Sequence, residues 1–293
     1  MLTKSTRCEG AFIGHALASK YDPSVFMAVN VSQSLIEQKK FDGSDILARH
    51  LHLYHTQKCE IGEITKYIYQ QAIQKKTGQE GNNLTRNDFR FDQTTIDGFV
   101  QLTDKQFGGN TSGCGPAQRS YPLAFSTLIS DDDLYDITMF EARLTHFSPI
   151  AGQVAGIVNR ICRFLLKNQT WSDALRSAFV VANLHPDVIA IFSRHGRFVA
   201  PVEEKHPAYA PTVLNAALHY VTRASNAEAA IAEALKNGKY YCAPLVGILA
   251  GVRWGIPIEF FQHDVNDRKL IMIRETASAL SDFSKTKSEN VSN

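Results

Sequence analysis

A chain of 293 residues, 44% apolar and 20% charged, has the composition of a globular domain. It is long enough to bury most of its unfolded surface without disulfides or a structural metal. Thirty-one Lys and Arg against 29 Asp and Glu leave a net charge of +2, too weak a field to recruit nucleic acid or an anionic membrane. His15 and several polar residues interrupt any signal-like apolar run in residues 1–18. No stretch approaches the ~20 apolar residues of a membrane span. The five cysteines, Cys8, Cys59, Cys114, Cys162 and Cys242, are odd in number and form no CxxC pair. They read as buried small hydrophobes in a protein of the reducing cytoplasm.

In chain order, apolar residues at helical spacing predict a helix over 24–38, carried by Val25, Val29, Leu35 and Ile36. Ser44 and Asp45 offer an N-cap for a helix over 44–55, and another is expected over 61–76. Residues 78–98 and 108–116, rich in Gly, Asn, Thr and Asp, read as loops. Ser130 and Asp131, Asp132 and Asp133 precede a helix over 134–144, where carboxylates suit the first turn and need no cation to explain them. Helices follow over 151–167, 171–182, 210–222, 226–236, 243–254 and 270–280. Only 188–192 and 198–202 look β-like, too little for a sheet, so the fold is expected to be all-α. A single domain over 1–282, a flexible tail over 283–293 and no internal repeat complete the expectation.

The most informative segment is 108–119. Its glycines free backbone N–H groups to converge, and a helix opening just after it would add a positive end, which together suit an anion. Asn110, Thr111 and Ser112 can bond sugar or phosphate oxygens, and Arg119 offers a planar charged fork. A plain helix-opening turn, with Arg119 paired to an acidic neighbour, fits the same residues. His50, His52 and His55 lack the i, i+4 spacing and intervening Glu of a helical zinc site. His146 reads as a protonated cap at a helix end. Ala243, Gly247, Gly251 and Gly255, four apart, would let another helix approach closely.

In order along the chain, these pieces resemble the ADP-ribosylglycohydrolase family, whose superfamily includes J-type lens crystallins. Gly10, Gly14, His15, Ala16 and Leu17 resemble its first-helix pattern G-x-x-x-G-D-A-L-G, with His15 in place of the Asp. Gln33 to Glu37 resembles E-S-L-L-E, and Glu60-Ile61-Gly62 is similar to D-x-G. The run Gly113, Cys114, Gly115, Pro116, Ala117, Gln118, Arg119 resembles the loop G-N-G-S-x-M-R, with Thr145 and His146 at the helix-ending T-H. Val246 to Gly255 is similar to A-G-A-x-x-G-A-x-x-G. The likeness spans about 10–257 and implies an all-α, single-domain orthogonal helix bundle. In typical members it implies cleavage of a glycosidic bond to ADP-ribose with two magnesium ions.

Two of the family's metal motifs are replaced. T-D-D falls on Asp22-Pro23-Ser24, and D-x-D-T falls on Gly238, Lys239, Tyr240 and Tyr241. Mg²⁺ demands oxygen ligands, and a lysine opposes it by charge, so no metal and no other cofactor is expected. Lys239 can instead neutralise phosphate, with Tyr240 and Tyr241 facing a base or sugar. The expected function is metal-independent hydrolysis of a glycosidic bond in ADP-ribose or a related nucleotide-sugar adduct. Asp22 and Glu60 are the candidate carboxylates and His15 and His146 the candidate proton shuttles. Gly113, Cys114, Gly115 and Gln118 join Asn110, Thr111, Ser112 and Arg119 in holding the ligand. The alternative is a non-catalytic binder of such ligands, or a crystallin-like structural protein.

Overall fold

The computed structural model describes residues 1–80, 84–193, 198, 207–237, 241–256 and 268–283. Among them there are fourteen α-helices and no strand; one isolated bridge joins Gly113 to Tyr209. In order the helices are α1 Lys4–Ser19, α2 Pro23–Gln38, α3 Gly43–Gln57, α4 Glu63–Glu80, α5 Gln93–Gln106 and α6 Gly115–Arg119. They continue with α7 Leu134–Ala142, α8 Pro149–Leu166, α9 Trp171–Ala178, α10 Pro186–Ser193, α11 Ala210–Arg223, α12 Ala227–Asn237, α13 Ala243–Trp254 and α14 Arg268–Phe283. None is long and apolar enough to cross a membrane. All five cysteines are free, and all but Cys59 are buried.

Two packing decisions place the site. The first is the crossing of α1 and α13, where small residues on both helices bring backbone against backbone. A Cβ added at Gly14 would lie 2.1 Å from the carbonyl oxygen of Gly247, and one at Gly251 would lie 1.9 Å from that of Gly10. The expected close-approach surface is therefore real, and it faces the chain's first helix. Arg7 fastens the same junction by donating to the Val252 carbonyl at 2.7 Å. The second is α8, which opens on Pro149 and buries Val154, Ile157, Val158 and Ile161 at its centre, with α6, α7, α9, α11 and α13 around it. The core is continuous from α1 to α14.

Four details depart from the sequence reading. Part of the expected loop over 78–98 is ordered: a 3₁₀ turn spans Arg86–Phe89, and α5 follows, capped by Asp92 and burying Ile96 and Val100. The β-like run at 188–192 is helix α10, with Val188 and Ile191 buried and Ile189 half exposed. The second β-like run falls mostly outside the described residues. The cap of α3 is Asp42, which accepts from the Asp45 N–H, and not Ser44. Asp131 turns from the next helix to pair with Arg163 and Lys167, while Ser130 accepts from the Asp133 N–H. The expected tail lies outside the described residues apart from Phe283.

Candidate functional site

Gly14 packs on α13, and the next residue, His15, is thereby driven into the interior, fully buried. It meets the start of α2. Asp22 caps that helix, accepting from the Ser24 N–H at 2.8 Å and from the Ser24 hydroxyl through the same oxygen, Oδ1. Because the Ser24 proton goes to Asp22, Ser24 Oγ accepts from His15 Nε2–H at 2.8 Å, and His15 Nδ1 faces the Tyr121 hydroxyl at 3.4 Å. Burial pushes His15 down to about 4, against the pull of the Asp22 charge. A neutral imidazole that donates to serine does not deprotonate that serine, and a ring held this low takes up no second proton near neutral pH. His15 orients Ser24 and Asp22.

The glycine-rich segment turns with Gly108 and Gly109 in the left-handed region, at φ +59° and +81°. Its polar side chains are used within the protein. Asn110 donates to the Phe107 carbonyl, Thr111 to Asp104, and Ser112 to Ser148. The backbone is pinned as well, with Cys114 N–H donating to the Ala208 carbonyl and Ala210 N–H to that of Ser112. Cys114 is buried, and burial pushes its thiol up to about 12. The helix that follows, α6, has only five residues, so the positive helix end expected there is weak.

Arg119 is 1% exposed and points inward: Nε donates to Glu141 Oε1 at 2.7 Å, and NH2 donates to Thr145 Oγ1 at 2.9 Å. The acidic-neighbour reading of this arginine describes the structure, and the fork is not open to a ligand's phosphate. Thr145 Oγ1 lies 2.8 Å from His146 Nδ1, and the other face of that imidazole abuts the loop, where a Cβ on Gly113 would sit 3.0 Å from Nε2. Burial, and then the Arg119 charge, hold His146 well below the usual histidine range. The protonated cap read from the sequence is therefore corrected: the ring is neutral because it is desolvated beside a cation.

Three distant segments meet near this loop. Gln118 donates to the Tyr241 carbonyl at 3.0 Å just ahead of α13, and α2, the helix that Asp22 caps, packs against α6. Tyr241 is half exposed; Lys239 and Tyr240 lie outside the described residues. Glu60 lines a cleft of about 510 Å³ with Tyr54, His55, Lys58, Cys59, Ile61, Lys66 and Ile73. That cleft follows α3 and leads into α4, whose Ile64 would lie 3.6 Å from a Cβ on Gly113. Glu141, Thr145, Ser24 and Tyr121 are the participants that sequence reasoning missed as partners. Thr145 carried a signal as half of the T-H pair, and Ser24 as the end of the segment aligned with T-D-D.

Compared with known families, residues 9–273 match ADP-ribosylglycohydrolase. The chain belongs to the ADP-ribosylglycohydrolase family. No curated protein matches it in sequence. Among solved structures, a chain described as "ADP-ribosylglycohydrolase-related protein complex" superposes with a TM-score of 0.69 at 21% identity, covering 97% of this chain and 100% of that one. That likeness establishes the all-α ADP-ribosylglycohydrolase fold.

The residues described where the family's metal ligands fall do not fit a magnesium pair. A hard cation needs oxygen lone pairs, usually anionic. Here Oδ1 of Asp22 is occupied by two hydrogens from Ser24, and Ser24 Oγ itself accepts from His15. Among the described residues no three His, Cys, Asp or Glu gather to hold a metal, and His50, His52 and His55 diverge. His50 is fully buried, while the His52 and His55 rings lie against Phe89 at 6.5 and 5.5 Å.

Proposed function

We propose that this ADP-ribosylglycohydrolase relative hydrolyses a glycosidic bond in ADP-ribose or a related nucleotide-sugar adduct without a divalent cation. Its substrate is a small molecule or an ADP-ribosylated group rather than nucleic acid, met in the cytoplasm, where five free thiols stay reduced. The observation that carries the reading is the convergence of three segments, with α2 and α13 both packed on α6 and Gln118 of that short helix joined to the Tyr241 carbonyl.

Cleavage of a glycosidic bond develops positive charge on the sugar, which a carboxylate stabilises or relieves by activating water. Asp22 supplies it, its Oδ1 held by the Ser24 N–H and hydroxyl while His15 donates to Ser24 Oγ, and its Oδ2 is the oxygen offered to the sugar. Glu60, from its adjoining cleft, is the second carboxylate. Gly113, Cys114, Gly115 and Gln118 hold the ligand with His146; the sequence assigns Lys239 to neutralise phosphate and Tyr240 and Tyr241 to meet the base or sugar. The test is incubation of EDTA-treated protein with peptides ADP-ribosylated on arginine or serine. Release of ADP-ribose is expected, with loss in Asp22→Asn; no release from any glycosidic substrate overturns the reading.

One observation favours a second reading, a non-catalytic binder or crystallin-like protein: Asn110, Thr111, Ser112 and Arg119 all spend their side chains internally. Calorimetry with ADP-ribose separates its two forms, since a binder gives saturable heat without turnover and a bulk structural protein gives none.

A further inference from the structure

The buried arginine of the loop segment acts on His146 at one remove, through Thr145. Arginine carries only donors, so Thr145 Oγ1 must accept from Arg119 NH2, at 2.9 Å. The hydroxyl keeps one proton to give. His146 Nδ1, 2.8 Å away, is the acceptor that the described residues place within its reach. Nδ1 therefore accepts, and the ring's proton sits on Nε2. The opposite tautomer would aim the Arg119 and Nδ1 hydrogens at one oxygen and strand the Thr145 proton in a fully buried place.

Glu141 holds the start of this chain, gripping Arg119 Nε at 2.7 Å while its backbone carbonyl accepts from NH2 at 3.4 Å. Nε2 is at the other end, against Gly113, and no group among the described residues accepts from it. Only a glycine leaves that nitrogen reachable, because a Cβ there would stand 3.0 Å away.

We propose that Arg119 and Thr145 are positioning residues that lock the His146 proton on Nε2, so that the ring presents a fixed donor to a sugar or phosphate oxygen lying on the loop at Gly113. The ligand half of this rests on the loop being the substrate site; the tautomer half does not. In this arrangement Arg119 serves the ligand without touching it, and Gly113 is required for the opening it leaves.

Long-range proton–nitrogen NMR spectra of the intact, ligand-free chain test the lock directly. The His146 proton is expected on Nε2 near neutral pH. Thr145→Val should populate both tautomers and weaken ADP-ribose binding about tenfold, the worth of one aligned donor; Thr145→Ser should restore both properties. A wild-type proton on Nδ1 overturns the lock, and it does so without any variant having to fold. Unchanged tautomer and affinity in Thr145→Val overturn the positioning role. A locked Nε2 proton with no ADP-ribose binding by the wild type refutes the ligand site and leaves the lock standing.

Discussion

Replacing Gly251 by alanine sets two effects of opposite sign against each other at the α1/α13 crossing. Within a helix, alanine is favoured over glycine by about 1 kcal/mol. The added methyl would stand 1.9 Å from the Gly10 carbonyl oxygen and 2.9 Å from the Ala11 nitrogen, both backbone atoms of the facing helix. No rotamer change relieves such a clash, so α1 and α13 must separate, and the contacts between their buried faces loosen together. Overpacking a core costs about 1 to 3 kcal/mol, and an immovable partner puts this case at the upper end. The net expectation is a loss of about 2 kcal/mol, or about 3 °C in Tm for a domain of this size. The internal control is Gly98→Ala in α5, where a Cβ would meet nothing within 4 Å. There propensity acts alone, and a gain of about 0.5 to 1 kcal/mol is expected. Urea denaturation of the three proteins measures both. Equal gains in the two variants would refute the steric account of the crossing.

Arg119→Met leaves Glu141 buried without its partner and should cost about 3 to 5 kcal/mol, read as a fall in the denaturation midpoint. Its effect should appear in the ligand-free protein, unlike that of a residue that only contacts substrate. His15, His50 and His146 all have folded-state pKa values lowered by burial, so the unfolded chain binds more protons than the native one just below the ordinary histidine value. Stability is therefore fully present above about pH 6.5 and falls as the pH drops toward 4; His15→Gln should flatten that slope in pH-dependent melting. Glu37 is held low by its hydrogen bond from Arg49. Burial pushes Asp45 up, but Arg49 and Arg90 outweigh it and hold it below its usual value. Both carboxylates therefore contribute stability at neutral pH that is lost on further acidification, and Asp45→Asn should reduce the loss.

Helices with strong periodicity were legible in the sequence because the pattern there is the burial pattern. Val154, Ile157, Val158 and Ile161 of α8 are one face of one helix. α5 escaped because Gly98, Asp97 and two threonines dilute a face that Ile96, Phe99 and Val100 still form. α10 escaped because the adjacent Val188, Ile189, Ile191 and Phe192 suit a strand by residue type, whereas packing buries only the members three apart. The loop at 108–119 was legible as a special turn, but the destinations of its side chains were not. Arg119 finds Glu141 22 positions away and Ser112 finds Ser148 36 positions away, pairings that no local spacing encodes. The small-residue stripe of α13 was read correctly as a packing device, yet its partner helix was not identifiable from the stripe alone.

The clasp of α1 on α13 also orders events on the ribosome. Arg7 and its acceptor at Val252 are 245 positions apart, so α1 emerges long before α13 can cover its glycine face. At roughly 5 to 20 residues per second that delay lasts on the order of ten seconds or more. For that time a helix with Phe12 and Ile13 on its flank is exposed to chaperones and to neighbouring nascent chains. A translational pause between the codons for α1 and α13 should therefore raise the misfolded fraction more than the same pause placed ahead of α1.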